Sequence, residues 1–249
     1  MNLSKAKESF LYTSQITCIV TTLYAYQSPN TQWHLIAFIY FACFFTYNFE
    51  RVYQQSPEDK INHPLRRLFL QKHQSLIRFT CFISILICFY LALFLTKFQL
   101  LILVLASIPT ALYLSPKLYF CKKRLKEIFL AKEFSIAFAW ALTVAVLPHA
   151  HFDLQLFILS FCLALINIMA CDQLDQKGDS KYKIKTLANV SKQSSTFISV
   201  ICLVFILCSL YFKVFAFALA FTHILLCKNI KASSLQYDLA LIWPALISL

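Results

Sequence analysis

Nine long apolar segments follow one another along this chain of 249 residues, and they constrain its fold more than any other feature of the sequence. A helix needs about 20 mostly apolar residues to cross a bilayer, and nine such helices use about 180 positions. We therefore predict an all-α fold, a polytopic membrane helical bundle of about nine transmembrane helices that forms one integral-membrane domain over residues 1–249. The segments lie near residues 10–27, 32–53, 75–95, 98–115, 127–148, 153–171, 192–211, 213–228 and 233–249.

The composition agrees with this prediction. Hydrophobic residues make up 59% of the chain and charged residues 14%, whereas soluble domains average about 45–50% and about 25%. The ten cysteines lie mostly inside the apolar segments and form no CxxC pair. We interpret them as small hydrophobic residues and not as zinc ligands.

The basic residues predict the orientation of the bundle. With nine helices, all 23 lysines and arginines except Lys97 and Lys213 fall at the N-terminus or in the connections on its side of the membrane. Basic residues concentrate on the cytoplasmic side of membrane proteins, so we predict a cytoplasmic N-terminus and an external C-terminus. The net charge of +12 then reflects orientation, and we expect no nucleic-acid partner.

The stretch CDQLDQKGDSKYKIKT at residues 171–186 interrupts the apolar pattern with three of the six aspartates, Asp172, Asp175 and Asp179. On a helix, Asp175 lies about 60° and Asp179 about 20° from Asp172, so one face carries all three carboxylates. Carboxylates this close repel one another unless a cation lies against them. Because Mg²⁺ prefers carboxylate oxygens and bridges to substrate phosphates, we predict that this face holds Mg²⁺.

The residues around these aspartates add two further expectations. Gly178 is the only glycine of the chain, and we expect the helix to end or loosen there, with a positive φ that glycine tolerates. Lys181, Lys183 and Lys185 follow, and they are candidates to face diphosphate oxygens. The alternative is a solvated helix end whose acids pair with these lysines.

The run DQLDQKGDSKYKIKTL resembles the second aspartate-rich motif of the UbiA-type intramembrane prenyltransferase superfamily. The segment LKEIFLAKEFSIAFAWALTVAVLP at 125–148 is also similar to the fifth helix of bacterial, particularly Bacteroidota-like, members. The resemblance implies nine transmembrane helices, with two acidic motifs near the cytoplasmic ends of the second and sixth helices. It also implies a location in the bacterial inner membrane.

The resemblance further implies an activity. Members of the superfamily use Mg²⁺ to bind an isoprenyl diphosphate, ionise it to an allylic cation, and pass the isoprenyl group to a lipophilic acceptor that is often aromatic. Asp172, Asp175 and Asp179 would be the catalytic and metal-binding residues. The implied partners are the diphosphate donor, the acceptor and membrane lipids.

The first acidic motif of that superfamily is degenerate in this chain. The corresponding stretch reads TYNFERVYQQSPEDK, and with Asn48 as the anchor the three aspartate positions hold Phe49, Val52 and Ser56. Arg51 is a candidate to bind phosphate through its planar guanidinium, together with Asn48. The alternative is an arginine that anchors the helix at the lipid headgroups.

Other functions and sites stay open at this stage. A catalytically altered relative that binds isoprenoid or lipid phosphates is the first alternative. A transporter is a lower one, since charges would then be expected along several helices. The basic loop at 115–126 is typical of contact with anionic lipids but also suits a diphosphate. Lys132 and Glu133 enter a predicted span, where charged residues are often functional.

Overall fold

The computed structural model describes residues 11–27, 32–54, 56–115, 122–149, 152–230 and 233–247, and these residues form helices without any strand. The first half contains α1 (Gln15–Gln27), α2 (Trp33–Phe49, continued as a π-helix over Glu50–Gln54), α3 (Asp59–Asn62), α4 (Pro64–Lys72), α5 (Gln74–Ala92) and α6 (Lys97–Leu114). The second half contains a 3-10 turn (Leu125–Glu127), α7 (Ala131–Ala141, continued as a π-helix over Leu142–Val146), α8 (Leu154–Lys181), α9 (Leu187–Val190), α10 (Ser194–Tyr211), α11 (Phe215–Asn229), α12 (Ser234–Ala240) and α13 (Trp243–Leu246).

The all-helical prediction is confirmed, and each predicted apolar segment overlaps at least one of these helices. Five helices of the described residues are long and apolar enough to cross a membrane, namely α2 with its π-helical extension, α5, α6, α8 and α10. The last predicted segment is divided between α12 and α13. The count of nine spans and the predicted orientation stay predictions.

Helix α8 is the central element of the bundle. It packs against α3, α7, α9, α10, α11 and α12. It begins where the Asp153 side chain accepts a hydrogen bond from the backbone N–H of Leu156 at 2.9 Å, a standard N-terminal cap. The helix continues for 28 residues, ten beyond the end of the predicted span at residue 171. All three aspartates of the acidic stretch therefore lie on its last turns.

The expectation for Gly178 was wrong. The residue is helical and buried, and its φ is not positive. Within the acidic stretch the positive φ is adopted by Lys183, with φ of 57°. Gly178 is instead needed for a close approach, since a Cβ there would lie 2.4 Å from Oδ1 of Asn62. The Asn62 amide uses this space to accept a hydrogen bond from the backbone N–H of Gly178 at 2.8 Å.

Replacement of Gly178 by alanine should therefore displace Asn62 while leaving the helix intact. The gain in helix propensity, about 1 kcal/mol, offsets only one of the two lost Asn62 hydrogen bonds, each about 1 kcal/mol, so we expect the free energy of unfolding to fall by about 1 kcal/mol. Hydrogen exchange of residues 59–63 should become faster. Asn62→Ala is the matched control and should give the same local change, with no further effect in the double variant. Unchanged exchange in Gly178→Ala would contradict the contact.

Candidate functional site

The first aspartate of the acidic stretch is held by a lysine from the neighbouring helix. Oδ1 of Asp172 lies 2.5 Å from Nζ of Lys132 in α7, and both side chains are largely buried. Oδ2 of Asp172 is buried and has no hydrogen-bond partner in the part of the chain that the structure describes. Glu133 beside it is 1% exposed, interacts with Asp172, and also has an unpartnered oxygen, Oε1. The Lys132 ammonium thus interacts with two buried carboxyl groups, those of Asp172 and Glu133.

The other two aspartates are held by residues 62–63, the last residue of α3 and the link to α4, which we call the α3–α4 segment. Oδ1 of Asp175 lies 3.0 Å from Nε2 of His63, and Oδ1 of Asp179 accepts a hydrogen bond from Nδ2 of Asn62 at 3.2 Å. Asp179 is buried, whereas the Asp175 side chain is 29% exposed. These contacts fix the α3–α4 segment against the end of α8.

The pairing of these acids differs from the one that sequence reasoning suggested. Lys181, Lys183 and Lys185 are exposed, and the aspartates pair with Lys132 and His63 instead. Within the described ranges, no three His, Cys, Asp or Glu side chains are grouped closely enough to hold a metal ion by themselves. Any cation at this end of α8 would therefore share the carboxylates with groups of the protein.

The end of α2, where the first acidic motif is degenerate, contains the two predicted phosphate-binding residues. Asn48 is fully buried, and its Nδ2 donates to the carbonyls of Thr13 at 3.0 Å and Phe44 at 2.8 Å. Arg51 donates a hydrogen bond to Oγ of Ser14. Its guanidinium lies 6.0 Å from the centre of the Tyr47 ring. Asn48 thus fixes the preceding segment to α2, and Arg51 is partly engaged by it.

A cleft opens beside Arg51. It is lined by Arg51, Val52, Ser56, Asp59, Arg67, Leu70, Gln71 and Gln74. Asp59 accepts a hydrogen bond from Arg66 at 3.0 Å. Burial and the charge of Arg51 lower the pKa of the Arg66 guanidinium, although Asp59 and Asp175 oppose this effect. The lining of the cleft thus carries two guanidinium groups, of Arg51 and Arg67, and one carboxylate, Asp59.

A buried lysine, Lys126, lies against the stretch that contains the degenerate motif. Nζ of Lys126 lies 2.9 Å from Oε1 of Glu50, 2.6 Å from Oγ of Ser56 and 2.5 Å from Oε1 of Glu58. Arg124 adds a longer contact of 3.6 Å to Oε2 of Glu58. We call these five residues the Lys126 cluster. Glu50 and Glu58 belong to the stretch that contains the degenerate motif, and Lys126 ends the basic loop at 115–126, but the sequence alone did not bring them together.

Comparison with known proteins gives one match in structure. No family model and no curated protein sequence matches the chain. A solved structure of digeranylgeranylglyceryl phosphate synthase in membranes superposes with a TM-score of 0.58 and 15% sequence identity, over 96% of this chain and 97% of that one. At this identity the likeness concerns the fold. The predicted resemblance is confirmed at that level: the chain shares the fold of the UbiA-type intramembrane prenyltransferases, to which that synthase belongs.

Proposed function

We propose that this protein is a UbiA-like membrane prenyltransferase that moves an isoprenyl group from an allylic diphosphate to an aromatic or other lipophilic acceptor. One observation carries the proposal: Asp172, Asp175 and Asp179 occupy the last turns of the central helix in a chain that shares this fold over nearly its whole length. We infer from the distribution of basic residues that the site faces the cytoplasmic side of the membrane, and the family resemblance implies that this is the bacterial inner membrane.

The three aspartates suit Mg²⁺ by the chemistry of their oxygens. Each contacts a basic or amide group through Oδ1, and Oδ2 of Asp172 is a buried oxygen whose neighbour is the Glu133 carboxyl group. Such an oxygen is costly unless it binds a proton or a cation. Mg²⁺ held by Asp172, Asp175 and Asp179 would neutralise the diphosphate and promote its departure.

Basic groups of the chain itself complete the proposed diphosphate site. Arg51 lines the cleft at the end of α2 and offers a planar donor for phosphate oxygens. Asn48, one turn before it, donates both amide hydrogens to backbone carbonyls and would position this end of α2. Lys181 and Lys185 are exposed at and just beyond the end of α8. Their long side chains suit contact with the departing diphosphate, where negative charge develops.

One observation favours the alternative, a relative that binds isoprenoid or lipid phosphates without transfer. The Lys126 ammonium is surrounded by Glu50, Ser56 and Glu58, and so occupies the acids that stand nearest to the degenerate motif. If the protein did transfer an isoprenyl group, Mg²⁺ bound by the aspartates of α8 alone would have to promote ionisation of the diphosphate. A transporter remains the lower alternative, because the charged residues gather at one end of the bundle.

Replacement of Asp175 by asparagine tests the proposal. The asparagine side chain would keep the size of the aspartate but remove one charge from the proposed metal site. We expect binding of allylic diphosphates in the presence of Mg²⁺ to weaken about 10- to 100-fold, as for the loss of a contact to a charged group. The measurement is binding and product formation by the reconstituted protein with donors of several chain lengths.

Asp153→Asn is the matched control, since it removes a carboxylate at the other end of α8 and keeps a good helix cap. It should bind the diphosphate as the wild type does. Unchanged binding in Asp175→Asn would refute the site. Binding without product across aromatic and other lipophilic acceptors would favour the non-catalytic alternative.

A further inference from the structure

Glu133 is a buried acid in the first turn of α7 to which the proposed diphosphate site gives no role. It is 1% exposed, and the N-terminus of a helix favours a negative charge at this position. The preceding residue, Lys132, contacts Oδ1 of Asp172 on α8, and α7 packs against α8. The Glu133 carboxyl group is thereby close enough to that of Asp172 to interact with it. Two buried carboxyl groups from different helices therefore meet at one lysine.

Each of these two carboxyl groups has one oxygen that the described residues leave unsatisfied. Oε1 of Glu133 and Oδ2 of Asp172 are both buried and have no hydrogen-bond partner among those residues. Ionised carboxylates can only accept hydrogen bonds, so neither group can satisfy the other. The Lys132 ammonium offsets one of the two negative charges, and a buried charge without a partner is unfavourable. The pair therefore lacks one cation or one proton.

A divalent ion fits the chemistry and the access of this pair. Mg²⁺ usually binds one or two carboxylates, keeps several waters and bridges to phosphate oxygens. Two acids therefore suffice, although no three are grouped closely enough among the described residues to hold a metal alone. The Lys132 side chain is 17% exposed, so an ion can enter beside it. Glu50 and Glu58, by contrast, are already engaged by Lys126.

We propose that Glu133 is a ligand of the metal ion of the diphosphate site and binds this ion together with Asp172. The inference rests on the proposed function and deepens it, because it assigns a metal ligand to α7, outside the acidic stretch. The two carboxylates would then be balanced by a divalent ion and the Lys132 ammonium. Net positive charge would remain for the phosphate oxygens of the donor.

Binding of Mn²⁺ to the purified full-length protein in detergent tests the assignment. Mn²⁺ takes the same oxygen ligands as Mg²⁺, and its EPR signal reports the free ion. We expect Glu133→Gln to weaken Mn²⁺ binding at least about tenfold, since even the loss of an outer partner of a metal ligand costs about 10- to 100-fold in affinity. Glu127→Gln is the matched control, because Glu127 pairs with Arg124 in the turn before α7. It should bind Mn²⁺ as the wild type does.

Two further measurements separate a metal ligand from an acid that only supports the fold. Without divalent ions, Glu133→Gln should unfold at the temperature of the wild type or higher, because one ammonium then faces one carboxylate. Asp172→Asn should also weaken Mn²⁺ binding, and the double variant should lose less affinity than the product of the two single losses, because both side chains bind one ion. Glu133→Asp keeps the charge but shortens the side chain, so its loss should be intermediate.

A wild-type protein that binds no Mn²⁺, which needs no variant, would overturn the inference, as would losses that simply multiply in the double variant. Binding of an allylic diphosphate with Mg²⁺ is measured in the same samples. If Glu133→Gln binds Mn²⁺ and the diphosphate as tightly as the wild type, the inference fails and the proposed function stands. If Mn²⁺ binding depends on Glu133 but no allylic diphosphate binds, the metal ligand is confirmed and the proposed function is refuted.

Discussion

Replacement of Lys126 by methionine is expected to destabilise the protein by about 3–5 kcal/mol, because it removes the cation from a buried pair and leaves the acids behind. Lys126, Glu50 and Glu58 have side chains that are only 9%, 13% and 7% exposed, so solvent screens them little. Methionine retains most of the apolar volume of the lysine. The loss is therefore mainly electrostatic and is measured by chemical unfolding in mixed micelles.

The matched control for this variant is Lys177→Met, a lysine to methionine change at an exposed position of α8. It should alter stability by less than about 0.5 kcal/mol, as is usual for surface substitutions. Glu50→Gln and Glu58→Gln introduced together with Lys126→Met should recover most of the lost stability, since no unpaired charge then remains. A Lys126→Met protein as stable as the wild type would show that the Lys126 cluster does not hold the end of α2 to the turn before α7.

The Lys126 cluster also marks the limit of what the sequence could predict. Glu50 and Lys126 are 76 positions apart, and the intervening helices fix their separation in space. Hydrophobic periodicity and charge predict where each helix lies in the membrane. They do not predict which loop residue contacts the end of which helix. The apolar segments, by contrast, depend only on local composition, and helices were found in all of them.

In the acidic stretch, too, properties within one helix were predicted, whereas contacts with residues distant in sequence were not. Helical spacing correctly predicted that α8 carries all three aspartates, because that property belongs to one helix. The partners of Asp172 and Asp175 come from α7 and from the α3–α4 segment. Gly178 was misread for the same reason: a lone glycine suits either a positive φ or a close approach, and only Asn62, which is distant in sequence, decides between them.

Replacement of Lys132 by methionine is the second change for which we expect a large effect. It would leave Asp172 and Glu133 buried side by side without the Lys132 ammonium. The free energy of unfolding, measured in the absence of divalent ions, should therefore fall by about 2–4 kcal/mol. This value is set below that for Lys126 because the Lys132 side chain is 17% exposed. Lys185→Met, at an exposed position beyond α8, is the matched control.

Magnesium gives this variant its diagnostic value. If Asp172 is a metal ligand, Mg²⁺ can take the place of the missing ammonium, and millimolar Mg²⁺ should restore much of the stability of Lys132→Met while affecting the wild type less. Addition of Asp172→Asn should remove the response to Mg²⁺, since the carboxylate that attracts the ion is gone. A variant that stays equally unstable with and without Mg²⁺ would mean that Asp172 binds Lys132 for structure alone, and the role of the acidic stretch in holding a metal would then fall to Asp175 and Asp179.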